Sequence, residues 1–178
     1  MNFSKKLFSI LSAGFIMMAS AVMVSCGDDE PAPSGLAGTW GTSMSVNVIG
    51  QPLNVSVDYV ISDNADGSIN VVVPAYDLNV QMGPTNQMQM HIGSFTVKNI
   101  AYDANKKAYY KAYADGQLGL EFNMAGSPAK TYKFDNNKCT SEITVSTSED
   151  GKISIINNYS LEGTMPYAIK TSASGTKK

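Results

Sequence analysis

The chain has 178 residues, of which 13 are basic and 15 are acidic, so its formal net charge at pH 7 is −2. Every basic residue is lysine. Arginine, whose planar fork binds phosphate and carboxylate bidentately, is absent, which disfavours a nucleotide site. A mildly acidic chain also lacks the basic surface that nucleic-acid binding requires. The length fits one domain plus a targeting segment.

The first 25 residues have the layout of a secretory signal peptide. Lys5 and Lys6 give a positive start, residues 7–24 are mostly apolar, and small residues precede Cys26. A transmembrane helix is the alternative, but the apolar stretch is only just long enough, and an acidic run follows where basic flanks are usual. We therefore predict that residues 1–25 are removed.

Residues 26–37 are predicted to form an extended linker, because Pro31 and Pro33 stiffen this segment. After cleavage, 11 lysines would stand against the same 15 acids. Only one cysteine, Cys139, would remain besides Cys26, so no disulfide framework is expected. The domain itself, residues 38–178, must then be stabilised by burial of a core, for which it is long enough.

The domain shows the alternation of apolar and polar residues that is typical of short β-strands, with frequent turn signals and no convincing helix. The predicted elements in chain order are strands at 44–48 and 53–61 around a turn at 50–52, a hairpin turn at 64–67, a strand at 71–73 ended by Pro74, two short strands within 78–90 around a loop at 83–86, and strands at 92–102, 108–114, 118–124, 132–134, 143–147, 153–161 and 165–173. Residues 108–114 and 118–124 are predicted to pair as a hairpin, as are 143–147 and 153–161. If about eight to ten of these segments are strands of the domain, joined as hairpins, they predict an all-β fold, a single antiparallel β-barrel, with a β-sandwich as the alternative.

Reactive groups are scarce in this sequence. His91 is the only histidine, and the residues around Cys139 match no catalytic nucleophile. An enzyme needs a convergent set of titratable groups. We therefore predict that the protein is not an enzyme, with no catalytic residues and no cofactor.

Met82, Met88, Met90 and His91 form one unusual cluster. Thioethers and an imidazole suit Cu(I). A strand would place Met88 and Met90 on one face and His91 on the other, so a third ligand would require Met82 to fold back. We favour the alternative that the methionines fill gaps at a barrel mouth, as candidate rim residues, and we predict no metal site.

Four tyrosines, Tyr102, Tyr109, Tyr110 and Tyr113, suggest a platform on which a glycan or a peptide would stack. Adjacent residues of a strand point to opposite faces, so Tyr109 and Tyr110 do not share a surface. The favoured interpretation is that these residues are structural, with Tyr110 kept as a candidate rim residue.

Residues 23–26, Met-Val-Ser-Cys, resemble the lipobox of bacterial lipoproteins, in which the cysteine is acylated and becomes the mature N-terminus. The resemblance implies a lipid on Cys26, and each buried methylene of that lipid adds about 0.8 kcal/mol of anchoring. The following Asp28, Asp29 and Glu30 resemble the acidic export tag of Bacteroidetes surface lipoproteins. That resemblance implies an outer-membrane lipoprotein exposed at the cell surface.

Gly38-Thr39-Trp40 at the start of the domain is similar to the glycine-x-tryptophan of lipocalins and other calycins, whose tryptophan packs across the closed end of the barrel. With the segments 66–74, 92–93, 163–169 and 174–177, it resembles the calycin-like β-barrel domain of Bacteroides lipoproteins over roughly residues 35–178. The resemblance implies a barrel of about eight strands and no particular chemistry. Lipocalins usually place an arginine over the tryptophan, and this chain has none.

We therefore predict a cell-envelope lipoprotein with a non-catalytic barrel that binds a small apolar molecule or a glycan or peptide fragment, with Trp40 as a further rim candidate. The alternative is a filled barrel that acts as a structural module and contacts an envelope protein. The expected partners are the membrane, through the lipid, and one of these ligands or proteins, but not nucleic acid.

Overall fold

A computed structural model describes residues 34–113, 120–124, 130–132, 139–161 and 168–178. Their regular structure is entirely β-strand, and none of them forms a helix that could span a bilayer. The strands are β1 Gly38–Val48, β2 Gln51–Asp63, β3 Ile69–Val73, β4 Tyr76–Gln81, β5 Gln87–Ile92, β6 Phe95–Asp103, β7 Ala108–Tyr113, β8 Leu120–Met124, β9 Lys130–Tyr132, β10 Cys139–Thr147, β11 Ile153–Leu161 and β12 Ile169–Lys177. The predicted signal peptide, Cys26 and the acidic tag lie outside the described residues.

Eight strands close into an antiparallel barrel in the order β1-β12-β11-β10-β7-β6-β3-β2. The predicted fold class is thus confirmed, and the sandwich alternative is wrong. The first turn lies one residue earlier than the predicted 50–52: Ile49 and Gly50 have φ of 54° and 76°, and β2 starts at Gln51. Two positive φ values in a two-residue loop match the twist of the flanking strands.

The other four strands form a second sheet in the order β4-β5-β8-β9, which the sequence analysis did not predict. The predicted hairpin of residues 108–114 with 118–124 is wrong, because β7 pairs with β6 and β10 while β8 pairs with β5 and β9. The predicted strand at 92–102 is likewise divided, since Ile92 ends β5 and Phe95 begins β6. Alternation identifies a strand's buried face, but it does not specify which strand pairs with it.

The inward faces of the barrel and of the small sheet form one hydrophobic core. Along β1 the alternation is regular: from Thr42 to Val48 every second residue is buried, and the residues between them are exposed. The buried hydrophobic residues of this strand are Trp40, Met44, Val46 and Val48. Full burial of one such aliphatic side chain contributes about 1.5–3 kcal/mol. The core therefore supplies the stability that a disulfide framework would otherwise provide.

Alternating strand directions give the barrel two distinct ends. One end holds Trp40, the last residues of β12 and the turns at 64–67, 104–107 and 148–151. The other end holds the β1–β2 turn and the small sheet, which follows β3 through β4. We refer to these as the Trp40 end and the small-sheet end.

Candidate functional site

The Trp40 end is closed by the chain itself. The Trp40 indole N–H donates a hydrogen bond of 2.8 Å to the carbonyl of Leu36, and both side chains are buried. The Nζ atom of Lys177 lies 5.9 Å from the centre of the Trp40 ring, within cation–π range. Lys177 thus places its ammonium group over the ring of Trp40. Trp40, predicted as a rim residue, is instead part of the core.

The structure separates the members of the methionine and histidine cluster. Met88 and Met90 are buried on the inner face of the small sheet, whereas Met82 is exposed in the connection between β4 and β5. His91 lies on the outer face, where its Nδ1 is 2.6 Å from Oδ1 of Asp77. Within the described ranges, no group of three or more His, Cys, Asp or Glu side chains converges. Met88 and Met90 therefore serve as core residues.

The tyrosines also divide between surfaces. Tyr102 and Tyr109 contact each other edge to face at 5.4 Å between ring centres and border a shallow pocket of about 360 Å³ with Ser34 and Leu36 at the Trp40 end. Burial raises the pKa of the half-buried Tyr109 above its usual 10. The pocket brings together two of the four tyrosines that were considered as a platform.

Tyr110 and Tyr113 point elsewhere. The Tyr110 hydroxyl donates to Oε2 of Glu142 at 3.2 Å, and Nζ of Lys106 lies 4.5 Å from the centre of its ring. Tyr113 is buried, and its hydroxyl donates to Oδ1 of Asn157 at 2.7 Å. Tyr110 is therefore a surface residue of the barrel wall rather than a residue at the small-sheet end.

The barrel interior contains a small set of neutral polar side chains among apolar ones. Besides the Tyr113–Asn157 bond, Thr171 Oγ1 donates to the Asn157 carbonyl at 2.6 Å, and Thr42 Oγ1 donates to the Val57 carbonyl at 2.9 Å. None of the buried residues in the described part of the chain is charged. Buried polar groups that are hydrogen-bonded in this way orient and fix a core.

Two further tyrosines are buried in the core that the barrel shares with the small sheet, Tyr59 on β2 and Tyr76 on β4. The Tyr59 hydroxyl donates to the sulfur of Met44 at 3.2 Å, and burial raises its pKa above the usual range. Burial also raises the pKa of Tyr76, and the neighbouring Tyr59 adds to this shift. The hydroxyl of Tyr76 has no hydrogen-bond partner among the described residues.

Sequence analysis did not identify these interior residues, although the sequence held a signal for some of them. Asn157 follows Ile153 and Ile155 at the same spacing of two, and Thr171 lies between Ile169 and Ala173. A polar residue in phase with buried apolar ones marks an inward position. That these polar residues meet inside the barrel depends on the closure of the β-sheet, so only the structure shows it.

The closed antiparallel barrel of eight strands, with a buried tryptophan at one end, is a calycin-like β-barrel. The family model for the calycin-like beta-barrel domain matches residues 36–176, and the chain belongs to this family. The comparisons with curated proteins and with solved structures found no significant match.

Proposed function

We propose that this protein is a non-catalytic binding module of the cell envelope that holds a small neutral apolar molecule. The observation that carries the proposal is the core shared by the barrel and the small sheet, where uncharged polar groups, including the unpartnered hydroxyl of Tyr76, lie among apolar side chains. Apolar walls with a few polar groups are typical of small-molecule sites. Membership of the calycin-like family is consistent with such a role.

Native mass spectrometry of the purified protein, released from detergent micelles in the gas phase, tests this proposal. A reproducible additional mass that leaves on denaturation is the expected result, and it would identify the class of ligand. A bare polypeptide mass, obtained again after incubation with a lipid extract of the source cells, would contradict the proposal.

A glycan or peptide fragment is the other ligand class, and the pocket beside Tyr102 and Tyr109 is the place where it would stack. The same spectra distinguish the two classes, because a glycan adduct would be lost in variants that replace Tyr102 by alanine. Replacement of Tyr110, which lies away from this pocket, is the matched control.

The alternative is a structural or protein-interaction module with a filled barrel. The full burial of large side chains such as Ile143, Ile153 and Ile155 favours it. In that case the outer surface would contact an envelope protein. Photo-cross-linking in cells through the outer face of the small sheet, at Gln89 for example, is expected to capture one discrete partner if this alternative holds.

The lipid anchor remains a proposal that the signal layout and the Met-Val-Ser-Cys sequence support. We expect the protein to partition into the detergent phase of a Triton X-114 separation and its Cys26→Ser variant to remain in the aqueous phase or uncleaved. Cys139→Ser is the control, because it removes the other thiol. Because an uncleaved precursor keeps its apolar segment, the length of each variant is checked by mass. Equal partitioning of Cys139→Ser and a cleaved Cys26→Ser variant would contradict acylation at Cys26.

Display at the cell surface is tested separately. Replacement of Asp28, Asp29 and Glu30 by alanine is expected to protect the protein from protease added to intact cells, whereas the unmodified protein is digested. Digestion of both would show that the acidic tag does not direct export.

A further inference from the structure

The barrel wall has an unpaired stretch along β2. β1 pairs with β2 from Gln51 to Ile61, but β3 pairs with β2 only from Val60 to Asp63. Over residues 51–59, this side of β2 therefore has no strand partner among the described residues. The nearest strand there is β4, which is the edge of the small sheet.

β4 runs on from β3 alongside β2 but does not pair with it. It does not keep the register of β3, because Val73 and Tyr76 are both buried although they are an odd number of residues apart. The end of β4 at Gln81 lies beside the start of β2 at Gln51. At this point the Gln51 side chain takes the place of backbone pairing: its Nε2 donates to the Gln81 carbonyl at 2.6 Å, and the Gln81 N–H donates to its Oε1 at 3.2 Å. The two backbones are thus further apart than the 4.7–4.9 Å of paired strands. We call this gap between β2 and β4 the seam.

Inward-facing side chains are accessible at the seam. Leu53, Val55 and Val57 are in phase with the buried Tyr59 and pack against the core, yet they are only partly buried. Their direct neighbours on β1 in the same face are fully buried or nearly so. The exposure is therefore a property of the β2 side, where the strand lacks its second neighbour.

Tyr76 lies on the opposite side of the seam, at the start of β4. Its side chain is buried, and its hydroxyl has no hydrogen-bond partner among the described residues. A buried hydroxyl without a partner is unfavourable, so a group that supplies an acceptor there gains affinity. An anionic oxygen would not be compensated, since the buried described residues carry no charge.

We infer that the seam between β2 and β4 binds a long-chain alcohol, which is a neutral apolar chain with a terminal oxygen. The chain lies along Leu53, Val55 and Val57, and the oxygen binds the Tyr76 hydroxyl. This inference rests on the proposed function and assigns its site. An extended peptide paired to the β2 edge is less favoured. In a hairpin with a two-residue loop, the N–H and C=O groups of every second residue of β2, beginning with Pro52, point away from β1 and toward the seam. The first of these residues, Pro52, has no N–H to donate to a peptide strand.

Photo-cross-linking with two matched probes tests the inference on the intact protein. One probe is a dodecanol that carries a diazirine at mid-chain, and the other is the corresponding dodecanoic acid. We expect the alcohol to label β2 and β4 and to do so more strongly than the acid. In Tyr76→Phe the preference for the alcohol should fall by about five- to tenfold, which is the contribution of one hydrogen bond.

Filling the seam should prevent labelling. Val55→Trp places bulk on its inner wall and is expected to reduce labelling by the alcohol at least tenfold, whereas Val60→Trp, on the outer face of the same strand, should leave it unchanged. Circular dichroism verifies that each variant folds, and Leu53→Phe, a smaller change in the same wall, replaces Val55→Trp if that variant does not.

The outcomes separate this inference from the proposed function. Strong labelling that maps elsewhere, or that Val55→Trp and Leu53→Phe do not reduce, would overturn the seam as the site while ligand binding stands. An unchanged preference in Tyr76→Phe would overturn the role of Tyr76. Labelling of the same strands by a diazirine-bearing strand peptide, but not by the alcohol, would overturn the ligand class. No labelling by any probe, together with a bare native mass, would overturn the proposed function itself.

Discussion

Replacing Tyr76 by phenylalanine removes a single oxygen atom from the core, and we expect this change to stabilise the ligand-free protein. The hydroxyl is buried and has no partner among the described residues, so folding removes it from water without compensation. Such a group costs about 1–3 kcal/mol, and its removal leaves the ring and its packing in place. We therefore expect the free energy of unfolding to rise by about 1–2 kcal/mol.

Urea unfolding followed by circular dichroism measures this change. With a slope of about 2 kcal/mol per molar urea, the midpoint should move upward by roughly 0.5–1 M. Tyr113→Phe is the matched control, because it removes the same atom from a hydroxyl that donates to Asn157 at 2.7 Å. That variant is expected to lose about 1 kcal/mol. If Tyr76→Phe lowers the midpoint as Tyr113→Phe does, the Tyr76 hydroxyl is hydrogen-bonded in solution and the argument for its role is refuted.

Three further predictions concern the strands around this core. Gly175→Ala should destabilise the protein by about 3 kcal/mol, because a Cβ there would lie 1.9 Å from a carbonyl oxygen of β1. The control is Ser174→Ala at the exposed neighbouring position, which should change stability by less than about 0.5 kcal/mol. Equal urea midpoints for the two variants would contradict this prediction. The hydrogen bond and ion pair with Lys152 lower the pKa of Asp150 to about 2. Ionised Asp150 therefore favours the fold above pH 4, and this contribution is lost as the pH falls toward 2. A carbon-detected NMR titration of the Asp150 carboxyl should show a midpoint near pH 2, and a midpoint near pH 4 would disprove the prediction. Trp40→Phe loses the indole hydrogen bond to the segment before β1 and part of a buried ring, and should lower the free energy of unfolding by about 1–3 kcal/mol in thermal or urea unfolding; unchanged stability would contradict both the bond and the burial of the ring.

The local elements of this fold could be predicted from the sequence because their signals are local. The alternation in residues 53–61 and the Asp-Gly turn at 64–67 depend on neighbours within a few positions. The turn is also held by its own side chains, since Asp66 Oδ1 accepts hydrogen bonds from the N–H and the hydroxyl of Ser68 at 2.9 and 2.6 Å. Such contacts leave a clear pattern in the sequence.

The second sheet could not be predicted in this way. It forms because two separate insertions into the barrel, β4–β5 and β8–β9, meet through the pairing of β5 with β8. Alternating strands are compatible with many partners, and the choice is made by the packing of the whole core. For the same reason the seam could not be predicted, since it exists only where the chain leaves β2 after β3 and continues as β4 into that second sheet.

The candidate site shows the same limit at the level of single residues. Lys177 and Trp40 are far apart in the chain, and only the pairing of β12 with β1 brings the ammonium over the ring. The methionine and histidine cluster was prominent in the sequence because its members are close along the chain. In the structure the opposite faces of β5 separate them, as their spacing had indicated.

The pairing of the first barrel strand with the last has a practical consequence for engineering. Because Trp40 lies opposite Lys177, the chain enters and leaves the barrel side by side at one end. A reporter fused to the C-terminus would therefore crowd the segment that leads into the domain. The turn at Ile49–Gly50 and the loop after β4 lie at the far end, so a short epitope inserted there would be accessible while both chain ends stay undisturbed.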